Sequence, residues 1–157
     1  MPLDDLQRQL AASLAGRGPA PAGLEEGAVD RARRGLESKR RSAAAHFLPR
    51  LRSTLGESWT ARFREHAARY NPAGMLHHVD DAWELAESML RDPDPRVACA
   101  AHDDLVILRL RFDRDTRLGA ERICERRGPL VALMRTPSRM LVVRMPGADG
   151  KVWYVPI

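Results

Sequence analysis

The sequence is poor in several residue types, and each shortage excludes a class of protein. Among 157 residues there are two cysteines, Cys99 and Cys124, and no CxxC pair, so a disulfide framework is excluded and a reducing compartment is indicated. Apolar runs all fall short of the roughly 18 residues of a membrane helix, and the N-terminal MPLDDLQRQL is acidic where a signal peptide would be basic. We therefore expect a cytoplasmic protein that does not contact a membrane.

Familiar catalytic motifs are also missing from the sequence. There is no GxSxG and no phosphate-binding loop. Cys99 and His102 could touch on neighbouring turns of a helix. However, Cys99 lies within VACAA, and a small buried thiol is the commoner explanation. His46 and His66 are likewise interpreted as ordinary helix residues.

The charge of the chain is positive but mixed. Lys and Arg number 26 against 21 Asp and Glu, a formal net charge of +5, and 44% of the residues are hydrophobic. This is the composition of a globular protein with acidic partners. Nucleic-acid binding is an alternative function, because LESKRRSAAAHFLPRLR would form a basic helix. Aromatic residues are only 5% of the chain, too few near that helix for a base-stacking platform, so nucleic acid is an unlikely partner.

Apolar residues recur at helical spacing from the N-terminus to about Phe112. Leucines predict a first helix, which GRGPAPAG ends, and a second helix runs from about Ala28 to Pro49. The residues predicted to point inward from the second helix are Val29, Ala32, Leu36, Ala43 and Phe47. Further helices are PRLRSTL, a segment after the possible N-cap Ser58 that carries Trp59 and Phe63, and a segment from Val97, whose second half could instead be a strand.

The stretch MLHHVDDAWELAESML allows two interpretations. His77, Asp80, Asp81 and Glu84 would share one face of a helix that began at His77, which could be a metal site. Alternatively, Asp81 and Glu84 form a capping box, and the helix begins there with Trp83 and Leu85 in the core. We favour the capped helix and no metal, with His77, His78 and Asp81 as the weaker alternative.

After Gly128 the sequence changes to short β-rich runs, PLVALMRT, RMLVVRMP and KVWYVPI, separated by turn residues. The predicted fold class is therefore α+β, with an N-terminal bundle of about four to five helices and a C-terminal antiparallel sheet of about three strands. The predicted domains are 1–92, helical, and 93–157, a helix plus the sheet, packed together as one compact unit. The boundary is placed at RDPDP.

The segment from Leu6 to Leu90 resembles the small helical partner proteins of multinuclear non-heme iron-dependent oxidative enzymes. Those partners serve in peptide-modifying pathways of the methanobactin and thiaglutamate type. The resemblance covers a little over half of the chain, and its C-terminal part is matched in type more than in residues. The matching positions are Pro49, Leu51, Leu55, Gly56, Glu57, Phe63, Tyr70, Pro72 and Trp83.

The resemblance implies a non-catalytic accessory protein without a cofactor. It would dock on an iron-dependent oxidase through its helices, and Arg62 and Arg69 are the docking residues that we predict. It would bind the acidic leader of a ribosomally made precursor peptide on an exposed strand edge, where unpaired backbone groups are available. The residues predicted to bind the peptide are Arg135, Arg139, Leu141, Val143 and Arg144. Edge protection by charge is the alternative role for these arginines.

Overall fold

The computed structural model describes residues 3–72, 76–115, 122–125, 130–134, 140–144 and 152–156, with side chains described for 3–72 and 76–113. The chain divides into two compact units, Met1–Asp104 and Leu105–Ile157. This division falls within a helix, beyond the boundary predicted after residue 92, and the predicted domain organisation stays a prediction.

The described part of the first unit is built from six α-helices, and the last of them extends past Asp104 into the second unit. They are α1 (Leu3–Leu14), α2 (Glu26–Ala45), α3 (Pro49–Leu55), α4 (Trp59–Arg69), α5 (His77–Met89) and α6 (Pro95–Arg111), with a 3-10 turn at Gly56–Ser58 between α3 and α4. Prolines open α3 and α6, because a missing N–H costs nothing at the first helical position. Most of these helices lie where the sequence predicted them.

The core of the first unit is built mainly by α3, α4 and α5. Phe63, Leu51 and Leu85 are fully buried, and Trp59 and Trp83 nearly so. The predicted burial of Phe63, Trp83 and Leu85 is confirmed. The packing of α5 explains its sequence, since small and large apolar residues alternate around a helix that is buried over most of its length.

The second unit contains short strands whose backbone is described. They are β1 (Phe112–Asp115), β2 (Arg122–Glu125), β3 (Leu130–Met134), β4 (Met140–Arg144) and β5 (Val152–Pro156). β1 pairs antiparallel with β2, while β4 lies between β3 and β5 and pairs antiparallel with both.

The predicted fold class is wrong as stated. The part of the chain with described side chains is 77% helical, with one short strand and no three-stranded sheet. The described helices number six rather than four to five, and the strands beyond them form two separate sheets rather than one. The cause lies in FDRD and RICE: these two segments pair as β1 and β2, and the sequence analysis did not recognise either as a strand.

Three local predictions also need correction. Helix α5 begins at His77, and no side-chain hydrogen bond caps it, so the capping box at Asp81 and Glu84 is wrong. Ala32 and Leu36 are exposed rather than inward-facing. The thiol of Cys99 is exposed rather than buried.

None of the helices in the described residues is long and apolar enough to cross a membrane.

Candidate functional site: a buried polar cluster beside a groove

A buried ion pair joins α2 to α5. The Arg40 guanidinium donates to both oxygens of Asp81, with Nε 2.9 Å from Oδ2 and Nη2 2.7 Å from Oδ1. Nη2 also donates to the carbonyl oxygen of Tyr70 at 2.9 Å. The Asp81 side chain has no exposed surface, and that of Arg40 is 20% exposed. This fork-shaped contact fixes the plane of the guanidinium as well as its position.

Helix α4 contributes the His66 imidazole to the same cluster, and Tyr70, the residue directly after α4, contributes a phenol ring. His66 Nε2 lies 3.2 Å from Asp81 Oδ1, and its ring packs against Tyr70 with centroids 5.4 Å apart. The Tyr70 hydroxyl donates to Asp80 Oδ2 at 2.6 Å. We call Arg40, His66, Tyr70, Asp80 and Asp81 the polar cluster. It connects α2, α4 and α5, so each of these helices is positioned by polar contacts as well as by the core.

The environment of Asp81 decides its protonation. Burial alone would raise the pKa of this carboxyl, but the hydrogen bonds from Arg40 and His66 and their positive charges outweigh burial and hold the pKa below its ordinary value. The carboxylate is therefore ionised and fully engaged, and a carboxylate in this state is a weak base. The cluster is built for position rather than for proton transfer.

A second buried carboxylate, Asp104 on α6, holds the start of α3. Its Oδ2 accepts a hydrogen bond from the Leu51 N–H at 2.8 Å, and Oδ1 accepts one from the Arg50 N–H at 3.4 Å. These N–H groups have no partner within α3 because they lie in its first turn. Burial raises the pKa of Asp104 to about 6, although both N–H groups and the nearby Arg50 charge oppose this effect.

A groove opens beside the polar cluster, between the end of α1 and one face each of α2 and α4. Its volume is about 280 Å³. The apolar part of its lining is formed by leucines and alanines, and its charged part by arginines and one glutamate. The lining residues are Leu14, Ala15, Gly16, Arg33, Leu36, Glu37, Arg40, Arg64, Ala67 and Ala68.

Arg40 belongs to both the groove and the polar cluster. Its Nε and Nη2 donate to Asp81 and Tyr70, whereas its Nη1 donates to none of the described residues. The Arg40 side chain is 20% exposed and lines the groove. The cluster therefore presents a fixed cationic N–H donor beside an apolar surface.

The other charged residues of the groove are paired on its rim. Arg64 Nε lies 3.4 Å from Glu37 Oε1, and Arg33 Nη2 lies 2.6 Å from Asp30 Oδ1. The Arg64 side chain is 65% exposed. Exposed pairs of this kind are weak, and water or another carboxylate can replace either partner at little cost.

His77, His78 and Asp81, the weaker metal-site alternative, do not form a ligand group among the described residues. Among the described residues no group of three His, Cys, Asp or Glu side chains could hold a metal ion. Asp81 is bound by Arg40, and the His78 ring lies 5.5 Å from that of Phe47. Burial and the adjacent His77 lower the pKa of His78. The weaker alternative of a site formed by His77, His78 and Asp81 is therefore not supported.

The predicted docking residues have partners within the chain. Arg62 Nη2 lies 3.0 Å from Asp92 Oδ2, and the Asp92 side chain is only 5% exposed, so this arginine connects α4 to the turn after α5. Arg69 pairs with Glu65 one turn away and is 75% exposed. Arg69 is the more accessible of the two for an external partner.

The predicted peptide-binding residues lie where the structure describes little. Arg135 and Arg139 fall outside the described residues, and Leu141, Val143 and Arg144 lie on β4, whose side chains are not described. The backbone of β4 pairs on both sides, since Leu141 faces Leu133 of β3 and Val155 of β5. An added peptide strand could not pair with β4 without displacing a neighbour.

Sequence reasoning missed Arg40 and Asp104 as organising residues. Arg40 stands in the run SKRRS, where it looks like one of several surface charges, and Asp104 in AHDDL looks like an exposed helix residue. One signal was present for Asp104: it stands next to Leu105 at core spacing, which is an unusual place for a carboxylate without a partner.

Comparison with known proteins gives a family match for the helical part of the chain. Residues 5–91 match the family model described as "SCO6045-like, C-terminal domain". The matched range contains the groove and the polar cluster. No curated protein and no solved structure matched the chain.

Proposed function

The chain belongs to the SCO6045-like, C-terminal domain family, whose match covers most of the helical unit. We propose, from the geometry of its helices, that this unit is a non-catalytic binding module. It docks on a partner protein and serves that partner as an accessory subunit.

The exposure of the middle of α2 supports docking. All six residues from Arg31 to Leu36 are exposed, although this is the interior of a 20-residue helix. A helix that packs in a bundle normally buries one apolar stripe along its length. Here Ala32, Gly35 and Leu36 are apolar and uncovered by the described residues, and Leu36 is 44% exposed. We call residues 31–36 the α2 surface.

The absence of a side chain at Gly35 adds to this argument. Glycine in a helix interior costs about 0.5–1 kcal/mol relative to alanine. A Cβ at Gly35 would meet no described atom within 4 Å, so packing inside the described part of the chain does not require glycine here. Close approach of a partner is a physical reason for a small residue at this position.

The polar cluster supports a non-catalytic role. Asp81 and Arg40 bind one another, and the hydrogen bonds to Asp81 keep the pKa of its carboxyl low. Groups arranged in this way hold helices in place, and they do not offer a reactive acid or base to a substrate.

The more specific form of the proposal follows the resemblance described above. The partner would be an iron-dependent oxidase, and the ligand would be the acidic leader of a precursor peptide. The positive net charge of the chain favours an acidic peptide. Whether the leader lies on the C-terminal strands, near Arg135, Arg139 and Arg144, stays a prediction.

Co-expression tests the docking proposal. The chain is tagged, expressed together with a multinuclear iron-dependent oxidase, and isolated through its tag; we expect the oxidase to co-purify in stoichiometric amount. Gly35→Glu should abolish co-purification without lowering the melting temperature, because a Cβ at this position meets open space and glutamate favours helix. Gly18→Glu, the same substitution in the exposed loop after α1, where a Cβ also meets nothing within 4 Å, is the matched control. Retention of the oxidase by Gly35→Glu would contradict docking through the α2 surface, and a genomic neighbourhood without such an oxidase would contradict the specific form.

A further inference from the structure

We propose that the groove between α1, α2 and α4 is a receptor for an acidic peptide segment, which places an aliphatic side chain on the apolar lining and a glutamate or aspartate carboxylate against Arg40. This inference rests on the proposed function, since it names the chemistry of the segment that the binding module would take.

Arg40 is held in a fixed orientation that suits a carboxylate ligand. A free arginine loses side-chain entropy when it binds a carboxylate, whereas Arg40 is already held by Asp81 and by the Tyr70 carbonyl. Its Nη1, which makes no hydrogen bond to the described residues, can donate to a ligand oxygen in the groove without rearrangement of the helices. A neutral partner would gain less, because a hydrogen bond between a cation and a carboxylate is about twice as strong as one between neutral groups.

The chain itself places a carboxylate, that of Glu37, in the groove. Glu37 pairs with Arg64 across the groove at 3.4 Å and with Arg41 at 3.7 Å along α2. Its side chain is only 22% exposed. A ligand carboxylate would replace Glu37 at Arg64, so Glu37 is a resident competitor that keeps the empty groove electrostatically balanced.

The size and shape of the groove suit a short extended peptide segment. A volume of 280 Å³ lies just below the range of about 300–1,000 Å³ that is usual for small-ligand sites. The groove has room for one or two side chains of an extended segment and not for a helix. Leu14, Leu36, Ala67 and Ala68 supply the apolar contacts, and the arginines stand around them, so an aliphatic residue next to an acidic one complements both parts.

Fluorescence polarisation with the full chain measures this interaction. The probe is a fluorescein-labelled octapeptide of alternating leucine and glutamate, and its counterpart contains leucine and glutamine. We expect the acidic peptide to bind at least about tenfold more tightly than the neutral one, the effect of one charge-assisted hydrogen bond.

Matched pairs of variants separate the groove from general charge. Arg64→Gln should weaken binding of the acidic peptide about tenfold, whereas Arg91→Gln, an exposed arginine after α5 that lies outside the groove and gives the same change in net charge, should change it less than about twofold. Glu37→Gln should tighten binding about threefold to tenfold because the competitor is gone, while Glu26→Gln should have little effect. Ala67→Leu fills the groove without a change of charge and should also weaken binding.

The outcomes distinguish the two proposals. Equal effects of Arg64→Gln and Arg91→Gln, or weaker peptide binding by Glu37→Gln, would overturn the groove receptor. If the oxidase still co-purified with the parent and not with Gly35→Glu, docking would stand. If the oxidase did not co-purify with the parent but the acidic peptide still bound the groove, docking would be overturned and the groove receptor would stand. Melting curves of every variant confirm that each comparison is made between folded proteins.

Discussion

At residue scale, Asp81 shows how a fully buried carboxylate is maintained inside a helical unit. Removing such a charge from water costs several kcal/mol, and only a well-oriented cation with further hydrogen bonds compensates for it. Arg40 supplies the cation from α2, and His66 supplies a further contact from α4. The pair therefore specifies how three helices meet, more than it adds net stability.

Removal of one partner should be far worse than removal of both. Asp81→Ala or Arg40→Ala should each lower the free energy of unfolding by about 3–5 kcal/mol, because the remaining charge is left buried without its partner. The double variant Arg40→Met/Asp81→Leu should lose clearly less unfolding free energy than the sum of the losses of the two single variants. Urea denaturation of the single and double variants measures this coupling, and additive losses would show that the two groups do not depend on each other.

Asp104 predicts a dependence of stability on pH. Its pKa is about 6 in the folded protein, against an ordinary value of 3.8. The folded state thus binds this proton more tightly than the unfolded chain. Its stabilising contribution is fully present below about pH 4, and is lost as the pH rises to about 6, by about 3 kcal/mol in total.

The matched variant for this effect is Asp104→Asn, which is close in shape and can still accept from the Leu51 N–H. The free energy of unfolding of the parent should fall relative to that of the variant between about pH 4 and 7, whereas Asp81, with its lowered pKa, acts only below about pH 4. Denaturant titrations at several pH values measure the difference. Parallel pH profiles for the two proteins would contradict a raised pKa at Asp104.

At the scale of the elements, two glycines of the helical unit have opposite roles. Gly56 ends α3 with φ 52° and ψ −121°, a conformation that residues with a Cβ rarely adopt, whereas Gly35 stands in the regular interior of α2. Gly56→Ala should destabilise by about 1–3 kcal/mol, and Gly35→Ala should stabilise by about 0.5–1 kcal/mol. Thermal unfolding of the two variants checks the pair, and a neutral Gly56→Ala would mean that the turn is not constrained as described.

The packing of α4 gives a further prediction for an element. Phe63 is fully buried and contacts the rings of Trp59 and His66. Phe63→Ala should therefore lower the free energy of unfolding by about 3–5 kcal/mol through lost burial and the cavity that remains. Arg64→Ala, one residue further on the exposed side, is the control and should change it by less than about 0.5 kcal/mol. Equal melting of the two variants would show that this helix face is assigned wrongly.

Local sequence signals were sufficient for most helices and failed where distant partners decide. Apolar spacing located α3, α4 and α6, because each buries a stripe that the 3.6-residue period reveals. It also located α1, although Ser13 is the only buried residue of that helix. The start of α5 was missed because Asp81 has the position of a cap in sequence, but its carboxylate is held by Arg40, 41 residues away. No local pattern encodes such a partner.

The groove illustrates the same limit on the binding site. Its walls come from three helices, so no single stretch of sequence displays it. The apolar period of α2 predicted that Leu36 would be buried, whereas the helix leaves it exposed on the groove. Periodicity reports that a helix has an apolar face and cannot report whether the chain itself covers that face.

At the scale of the whole molecule the net charge is positive, but many arginines of the helical unit form ion pairs with nearby carboxylates. Arg33, Arg64, Arg69 and Arg96 each pair with a neighbouring carboxylate. This mixture favours an acidic protein or peptide over the uniform phosphate backbone of a nucleic acid. A salt titration with duplex DNA should show weak binding, and a steep loss of a tight complex with added salt would contradict this expectation.

The central claim is that the polar cluster fixes Arg40 so that the groove beside it receives an acidic segment. Titration of the isotope-labelled chain with the leucine–glutamate octapeptide, followed by heteronuclear NMR, tests this claim most directly. We predict that the largest shifts lie at Ala15, Gly16, Leu36 and Ala67 and at the Arg40 side-chain N–H groups, with the same residues unmoved by the leucine–glutamine peptide. Shifts that spare these residues and concentrate elsewhere in the chain would contradict the account.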